Sequence, residues 1–441
     1  MPLKSTLQTT QPPKRTSQSS VNTLRQSARW FLIASVIGIL AGTASAILIE
    51  SLNWATNTRE SHPWLIALLP IAGLLVGLLY HHFGRSVEAG NNLILEQIHA
   101  EIDHPGNATI QARMTPLILL GTFLTHLFGG SAGREGTAVQ TGASLADQLT
   151  PLLHKLRIDV TQPNRRILLM AGVAAGFGSV FGTPIAGAIF GLEVLTVATP
   201  THRTLNYRAV LPCFLASFVA DITTRAWHVH HTAYTVTAEA LALATPTATN
   251  LLSSIAAGIA FGLTALLFAR LTHAVGHVFK RSISYPPLRP FIGGIIIASA
   301  VLSPLRSGVD TTRYIGLGIP TIVASFTQHL PHYDFAAKLA FTSITLGAGF
   351  KGGEVTPLFY IGATLGNALS SILSLPSSLL AAMGFVAVFA GAANTPIAST
   401  LMAYELFGPR AAAFAAIACM VSYLCSGSKG IYHAQRNTHA R

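Results

Sequence analysis

The chain has 441 residues, of which 50% are hydrophobic and only 10% charged. That charge share is well under half of what soluble domains carry, which excludes an ordinary soluble fold and points to an integral membrane protein in a lipid bilayer. The formal net charge of +12 is scattered over short loops and tails without a basic stripe or RNA-binding motif, so nucleic acid is not an expected partner.

Residues 1–28 are rich in Ser, Thr, Gln and Pro, carry Lys4, Lys14, Arg15 and Arg25, and contain no acid. They read as a disordered basic tail, and the positive-inside rule places it in the cytoplasm. Apolar runs follow at Trp30 to Ile49, Trp64 to Tyr80, Ile167 to Val197, Leu251 to Phe268 and Ala381 to Met402. They reach or approach the roughly 20 residues that cross a bilayer. The first is too long for a cleaved signal peptide and reads as a retained span. A polar turn at Asn57 to His62 separates it from the second, which ends at the internal His81, His82 and Arg85. The basic loop His154 to Arg166 is expected in the cytoplasm. Thr223 to Asn250 is the longest moderately polar internal stretch and reads as a linker. It divides a first membrane half, residues 29–222, from a second, residues 251–441, which ends in a short cytoplasmic tail. Gly and Pro interrupt several runs, which predicts an all-α protein of tilted and broken helices. Cys213, Cys419 and Cys425 have no paired spacing, so neither a disulfide nor a metal site is expected.

Two motifs recur in order. Gly133-Arg134-Glu135-Gly136-Thr137 returns as Gly352-Gly353-Glu354-Val355-Thr356-Pro357, with a glycine two residues before and a threonine two residues after each glutamate, and Glu354 219 positions after Glu135. Thr183-Pro184-Ile185-Ala186 leads to Glu193, and Thr395-Pro396-Ile397-Ala398 leads to Glu405, nine residues from proline to glutamate each time. Two motifs in register imply a duplicated fold, and broken helices in a duplicated membrane protein point to a binding site at the repeat interface. Parallel and inverted duplication remain open on this ground. A Gly-Ala-x-Leu signature also recurs, at Gly142 and Gly362.

Of the 16 acids, Glu135, Glu193, Glu354 and Glu405 stand within apolar or glycine-rich runs, where an ionisable group is costly and needs a reason. An apolar medium favours the neutral form of a carboxyl, which suits a glutamate to carry protons. Glycines at a helix start expose N–H groups that attract an anion, so a carboxylate and a transported anion can compete for one place. For Glu135 the residues leave this gate and a plain helix-start acid both open. Glu193 and Glu405, at the ends of apolar runs, read as structural acids that tie down a neighbouring loop. Arg134 reads as a partner for backbone or carboxylate. His228, His230 and His231 lack a nearby acid or Cys and are not read as a metal site. No cofactor-binding loop is present.

These residues resemble the CLC family of chloride channels and proton-coupled anion antiporters. The resemblance rests on Gly133-Arg134-Glu135-Gly136, on Phe181-Gly182-Thr183-Pro184-Ile185-Ala186-Gly187 and on Gly352 to Gly366. It implies an inverted two-half helical repeat, a homodimer with one pathway per subunit, and Glu135 as gating glutamate. Three departures stand out. The family's Gly-Ser-Gly-Ile-Pro is Gly90-Asn91-Asn92-Leu93-Ile94, so Asn91 replaces the anion-coordinating serine, with Asn92 the alternative. Its Gly-x-Phe-x-Pro is Gly353-Glu354-Val355-Thr356-Pro357. The internal proton-transfer glutamate of the chloride antiporters is Val194. These changes are similar to the fluoride/proton antiporter subgroup, CLC-F. That resemblance implies Glu135 and Glu354 as gating and proton-transfer groups. It also implies an anion pathway formed by Asn91, Gly133, Arg134, Gly136, Val355, Thr356 and Tyr432. Fluoride is small and strongly hydrated, so its site must replace water with close amide, hydroxyl and N–H donors.

The reading is a secondary transporter exporting fluoride in exchange for protons. Its rivals are a chloride/proton antiporter, a passive anion channel and, more remotely, a membrane-embedded enzyme, for which no nucleophile or metal triad accompanies the glutamates.

Overall fold

The computed structural model describes residues 17–103, 110–156, 162–194, 207–427 and 430–435. Sixteen α-helices account for most of them. The first half holds α1 (Ser17–Ser61), α2 (Leu69–Leu79), α3 (Asn91–Asp103), α4 (Met114–Leu127), α5 (Glu135–Lys155), α6 (Gln162–Phe181), α7 (Pro184–Glu193) and α8 (Tyr207–Ala226). After α9 (Ala238–Leu243) come α10 (Ala248–Ser282), α11 (Leu288–Arg306), α12 (Ile319–Ala324), α13 (Asp334–Gly347), α14 (Val355–Leu369), α15 (Ser377–Ala393) and α16 (Pro396–Ser426). Among the described residues, six helical segments are long and apolar enough to cross a membrane, including Ala28–Ser61, Ala248–Ser282 and Pro396–Ser426.

Boundaries differ from the sequence expectation in three places. Helix α1 begins at Ser17, so residues 17–28, expected in the tail, are helical; no proline follows Pro13 there to stop a helix. Residues 1–16 of that tail, 157–161 of the basic loop and the terminal residues 436–441 lie outside the described residues. The turn expected at Asn57 to His62 narrows to His62, because α1 continues to Ser61 and Pro63 opens a 3-10 helix. The moderately polar stretch Thr223 to Asn250 is helical at both ends, in α8 and α10, and carries α9 between them.

The broken helices take one form twice. Helix α6 ends at Gly182 (φ 70°), after which Thr183 and Pro184 open α7. Helix α15 ends at Asn394 (φ 56°), after which Thr395 and Pro396 open α16. Left-handed backbone stops the helix, and proline at the next first turn supplies a fixed φ where no N–H partner exists. A second break at Gly408 (φ 81°), followed by Pro409, divides α16.

The orientation of the halves follows from the two remaining glutamates. Glu405 accepts hydrogen bonds from the first-turn amides of α7, Ile185 N at 2.9 Å and Ala186 N at 2.7 Å. Glu193 accepts the same pair from α16, Ile397 N at 2.9 Å and Ala398 N at 2.7 Å. Each helix end thus satisfies the orphan donors at the start of the other. That reciprocal contact requires the two helices to run antiparallel, so the duplication is inverted.

The recurring Gly-Ala-x-Leu signature marks helix crossings. A methyl on Gly142 of α5 would overlap the carbonyl oxygen of Gly172 on α6, and one on Gly362 of α14 would overlap that of Gly384 on α15. Helix α15 is buried along nearly its whole length and apolar all round, as the central helix of a membrane bundle must be. Phe385 and Phe389 on it stack among Phe177, Phe190 and Phe359.

Candidate functional site

The two filter motifs meet. Gly133 N donates to Gly353 O at 2.6 Å and Gly353 N donates to Gly133 O at 2.7 Å, an isolated antiparallel bridge between halves. Arg134 caps α5, which begins at Glu135, and Glu354 caps α14, which begins at Val355. Two helix N-termini, each with partial positive charge and unpaired N–H groups, therefore converge on one point.

Buried loops hold the motifs in place. Gly130 N donates to Thr125 O at 2.7 Å, and its counterpart Phe350 N donates to Thr345 O at 3.3 Å. The Ser131 hydroxyl donates to Tyr314 O at 2.8 Å and lies 2.9 Å from Thr342 Oγ1. Lys338, fully buried, donates to Tyr314 O and Gly316 O. Gly316 N in turn reaches Gly130 O at 3.0 Å.

At the meeting point the Glu135 side chain, 1% exposed, occupies the donors. Its carboxylate accepts from Thr356 N at 3.0 Å, from the Thr356 hydroxyl at 2.6 Å and from Arg134 N at 3.1 Å. Arg134 Nε lies 3.7 Å from the same group. Backbone amides, a hydroxyl and a nearby guanidinium form an anion site, and a carboxylate of the protein fills it.

The other expected site residues gather round this point. The Asn91 amide approaches Gly136: Nδ2 lies 3.1 Å from where a Cβ on Gly136 would stand. Its Oδ1 is buried without a hydrogen-bond partner. Asn92 points elsewhere, its Oδ1 accepting from Ala434 N at 3.1 Å. Gly136 also packs against Gly353, where a side chain on either would press on the opposing backbone. Val355 is buried in the first turn of α14. Tyr432 is buried and close enough to Glu135 and Glu354 to feel both charges. Glu354 lines a cavity of about 620 Å3, shared with Asn92, His273, Lys351, Ile431 and His433.

Sequence reasoning missed several residues that build the site. Gln435 fixes the segment bearing Tyr432: its amide donates to Ala393 O at 2.9 Å and Val194 O at 3.2 Å, and its Oε1 accepts from Asn394 at 3.0 Å. Tyr234, from the stretch between the halves, lies in electrostatic range of Arg134 and Glu135. The set of buried acids is also larger than expected. Asp147 pairs with Arg165 at 2.7 Å and accepts from Ile110 N, and Asp334 accepts from Tyr314 Oη at 2.7 Å and from Arg313 at 3.0 Å. Arg165, expected in an exposed basic loop, is 7% exposed through that pair. His231 lies with Nε2 2.8 Å from Ser179 O, and among the described residues no group of three or more metal-ligating side chains occurs.

Comparison with known proteins agrees with this architecture. The model of the family described as "Voltage gated chloride channel" matches residues 72–427. A protein of Pseudomonas syringae pv. tomato named "Chloride/fluoride channel protein" is 53% identical over 416 residues, covering 94% of this chain and 88% of its own. A solved structure titled a CLC-type fluoride/proton antiporter is 34% identical with a TM-score of 0.83, over 93% of this chain and 98% of its own. A slow cyanobacterial Cl-/H+ antiporter, 22% identical with a TM-score of 0.75 over 92% of this chain and 96% of its own, shares the fold. A match spanning most of the chain, on a fold of two inverted helical halves that meet at paired glycine-rich helix starts, makes this chain a member of the voltage-gated chloride channel, or CLC, family.

Proposed function

We propose that the protein exports fluoride across the inner membrane of a bacterial cell in exchange for protons, with Glu135 and the anion competing for one site. The observation that carries this is the Glu135 carboxylate seated on Thr356 N, the Thr356 hydroxyl and Arg134 N. Fluoride presents the same charge to the same donors and is small enough for three of them to reach it together. Protonation strips the carboxylate of its attraction for those donors, so the side chain leaves and fluoride enters. When fluoride departs, the side chain returns without its proton. One competition thus links two fluxes.

Asn91 and Tyr432 add an amide and a hydroxyl along the pathway, and Glu354 receives the proton where Val194 offers no carboxyl. The cavity beside Glu354 opens to the cytoplasm, as do both termini, and two copies of the chain associate with one pathway each. The relatives' printed names, "Chloride/fluoride channel protein" and fluoride/proton antiporter, support the choice of ion and of coupling.

The test is ion efflux from liposomes holding the purified protein, with fluoride and chloride compared while external pH is recorded. Fluoride efflux accompanied by proton uptake, with little chloride movement, is the expected result. Fast chloride flux would remove Asn91 and Thr356 from selectivity, and flux without protons would make the protein a channel.

A further inference from the structure

Proposing Glu354 as a proton carrier leaves a gap, since its proton must still reach the solution. The cavity that Glu354 lines holds three imidazoles, His277 and a close pair made of His273 on α10 and His433 just after Tyr432. The ring centroids of the pair are 3.7 Å apart with 30° between planes. His433 is exposed, and His273 is half-buried near the backbone of Ile431. The pair therefore spans from the solution to the segment that carries Tyr432.

The titratable and charged groups facing the pair are mostly basic. His277 and Lys280 lie on α10, Arg289 on α11, Lys351 on the loop before Glu354, and Arg85 ahead of α3. Against them stand two acids, Glu88 and Glu354. Such a chamber draws fluoride in and repels hydronium ions. A proton crossing it needs a group that binds it well near neutral pH, and imidazole is the side chain whose ordinary titration falls there. Two imidazolium rings at this separation repel, so the pair holds one proton at a time.

We propose that His273 and His433 together form the proton relay between Glu354 and the solution on the cavity side. The Glu354 carboxyl O–H bond breaks as its proton passes, through water in this polar and roomy cavity, to a lone pair on an imidazole nitrogen. Glu354 is left as carboxylate, and the imidazolium then releases the proton to solvent. This rests on the fluoride/proton reading and assigns the surrounding cations to the anion and the imidazoles to the proton.

The experiment uses the full chain in liposomes, recording fluoride efflux and proton uptake together while the pH on the cavity side is varied. For H273Q/H433Q the expected result is a fall of about tenfold or more in coupled proton uptake. The rate should lose its dependence on cavity-side pH between about 5 and 8, and imidazole added on that side should restore proton uptake. A correctly assembled double variant with wild-type proton uptake and pH profile overturns the proposal, as does a loss that imidazole does not restore. If the double variant does not fold, the exposed-site variant H433Q carries the same readouts. Absence of proton movement in the wild-type protein would instead sink the antiport reading itself.

Discussion

At the scale of single residues, the site turns on which atom accepts from Thr356. Glu135→Gln keeps the size of the side chain but removes its charge and its exchangeable proton. Proton uptake should disappear in the paired-flux assay, with fluoride turnover reduced by about a hundredfold; coupled exchange at the wild-type rate would refute the gate. Thr356 contributes a backbone N–H and a hydroxyl to the same carboxylate, and only the hydroxyl can be removed by mutation. Thr356→Ala is expected to lower the preference for fluoride over chloride by about tenfold, the equivalent of one hydrogen bond near 1.4 kcal/mol, while Thr356→Ser retains it. Selectivity measured as the ratio of the two efflux rates decides this, and an unchanged ratio in Thr356→Ala would clear the hydroxyl of the role.

Among elements, the helix breaks and crossings carry the site. Glycines at the crossings of α5 with α6 and α14 with α15 bring backbones together, so Gly362→Val would force the two helices apart. A stability loss of about 3 kcal/mol is expected, read as a lowered Tm in detergent. Much of this level was legible in the sequence. Proline and glycine punctuation marked the starts of α7 and α16, and the carboxyls at Glu135 and Glu354 marked the starts of α5 and α14. The buried pairs were not legible. Asp147 and Arg165 lie 18 positions apart on different helices, and Asp334 finds Tyr314 across a loop. Lys338 pairs with no acid among the described residues and rests on two carbonyls that only the folded loop presents. Periodicity reports which face of a helix is apolar; it carries no information about a carbonyl brought in by a distant turn.

For the molecule as a whole, the inverted halves make a prediction about symmetry. Glu193 and Glu405 accept matching pairs of amides at matching distances, 2.9 and 2.7 Å each. Glu193→Gln and Glu405→Gln should therefore destabilise by similar amounts, about 1.5–3 kcal/mol each, in thermal melts of the purified protein. A large cost for one and none for the other would show that only one of the contacts supports the fold. The duplication itself could be read from two recurring motifs, whereas its sense of inversion could not, because short motifs look alike whichever way the helix runs.

The paired amides of Gly133 and Gly353 stitch the halves together where the starts of α5 and α14 meet, with both hydrogen bonds buried. Swinging one half against the other would tear this seam and leave two N–H and two C=O groups unsatisfied away from water, at a cost of about 1–3 kcal/mol each. Transport is therefore expected to run on small swings of side chains within a rigid frame. Backbone hydrogen exchange at Gly133 and Gly353 should accordingly stay slow and equal with and without fluoride. Exchange that quickens during turnover would show that the frame itself moves.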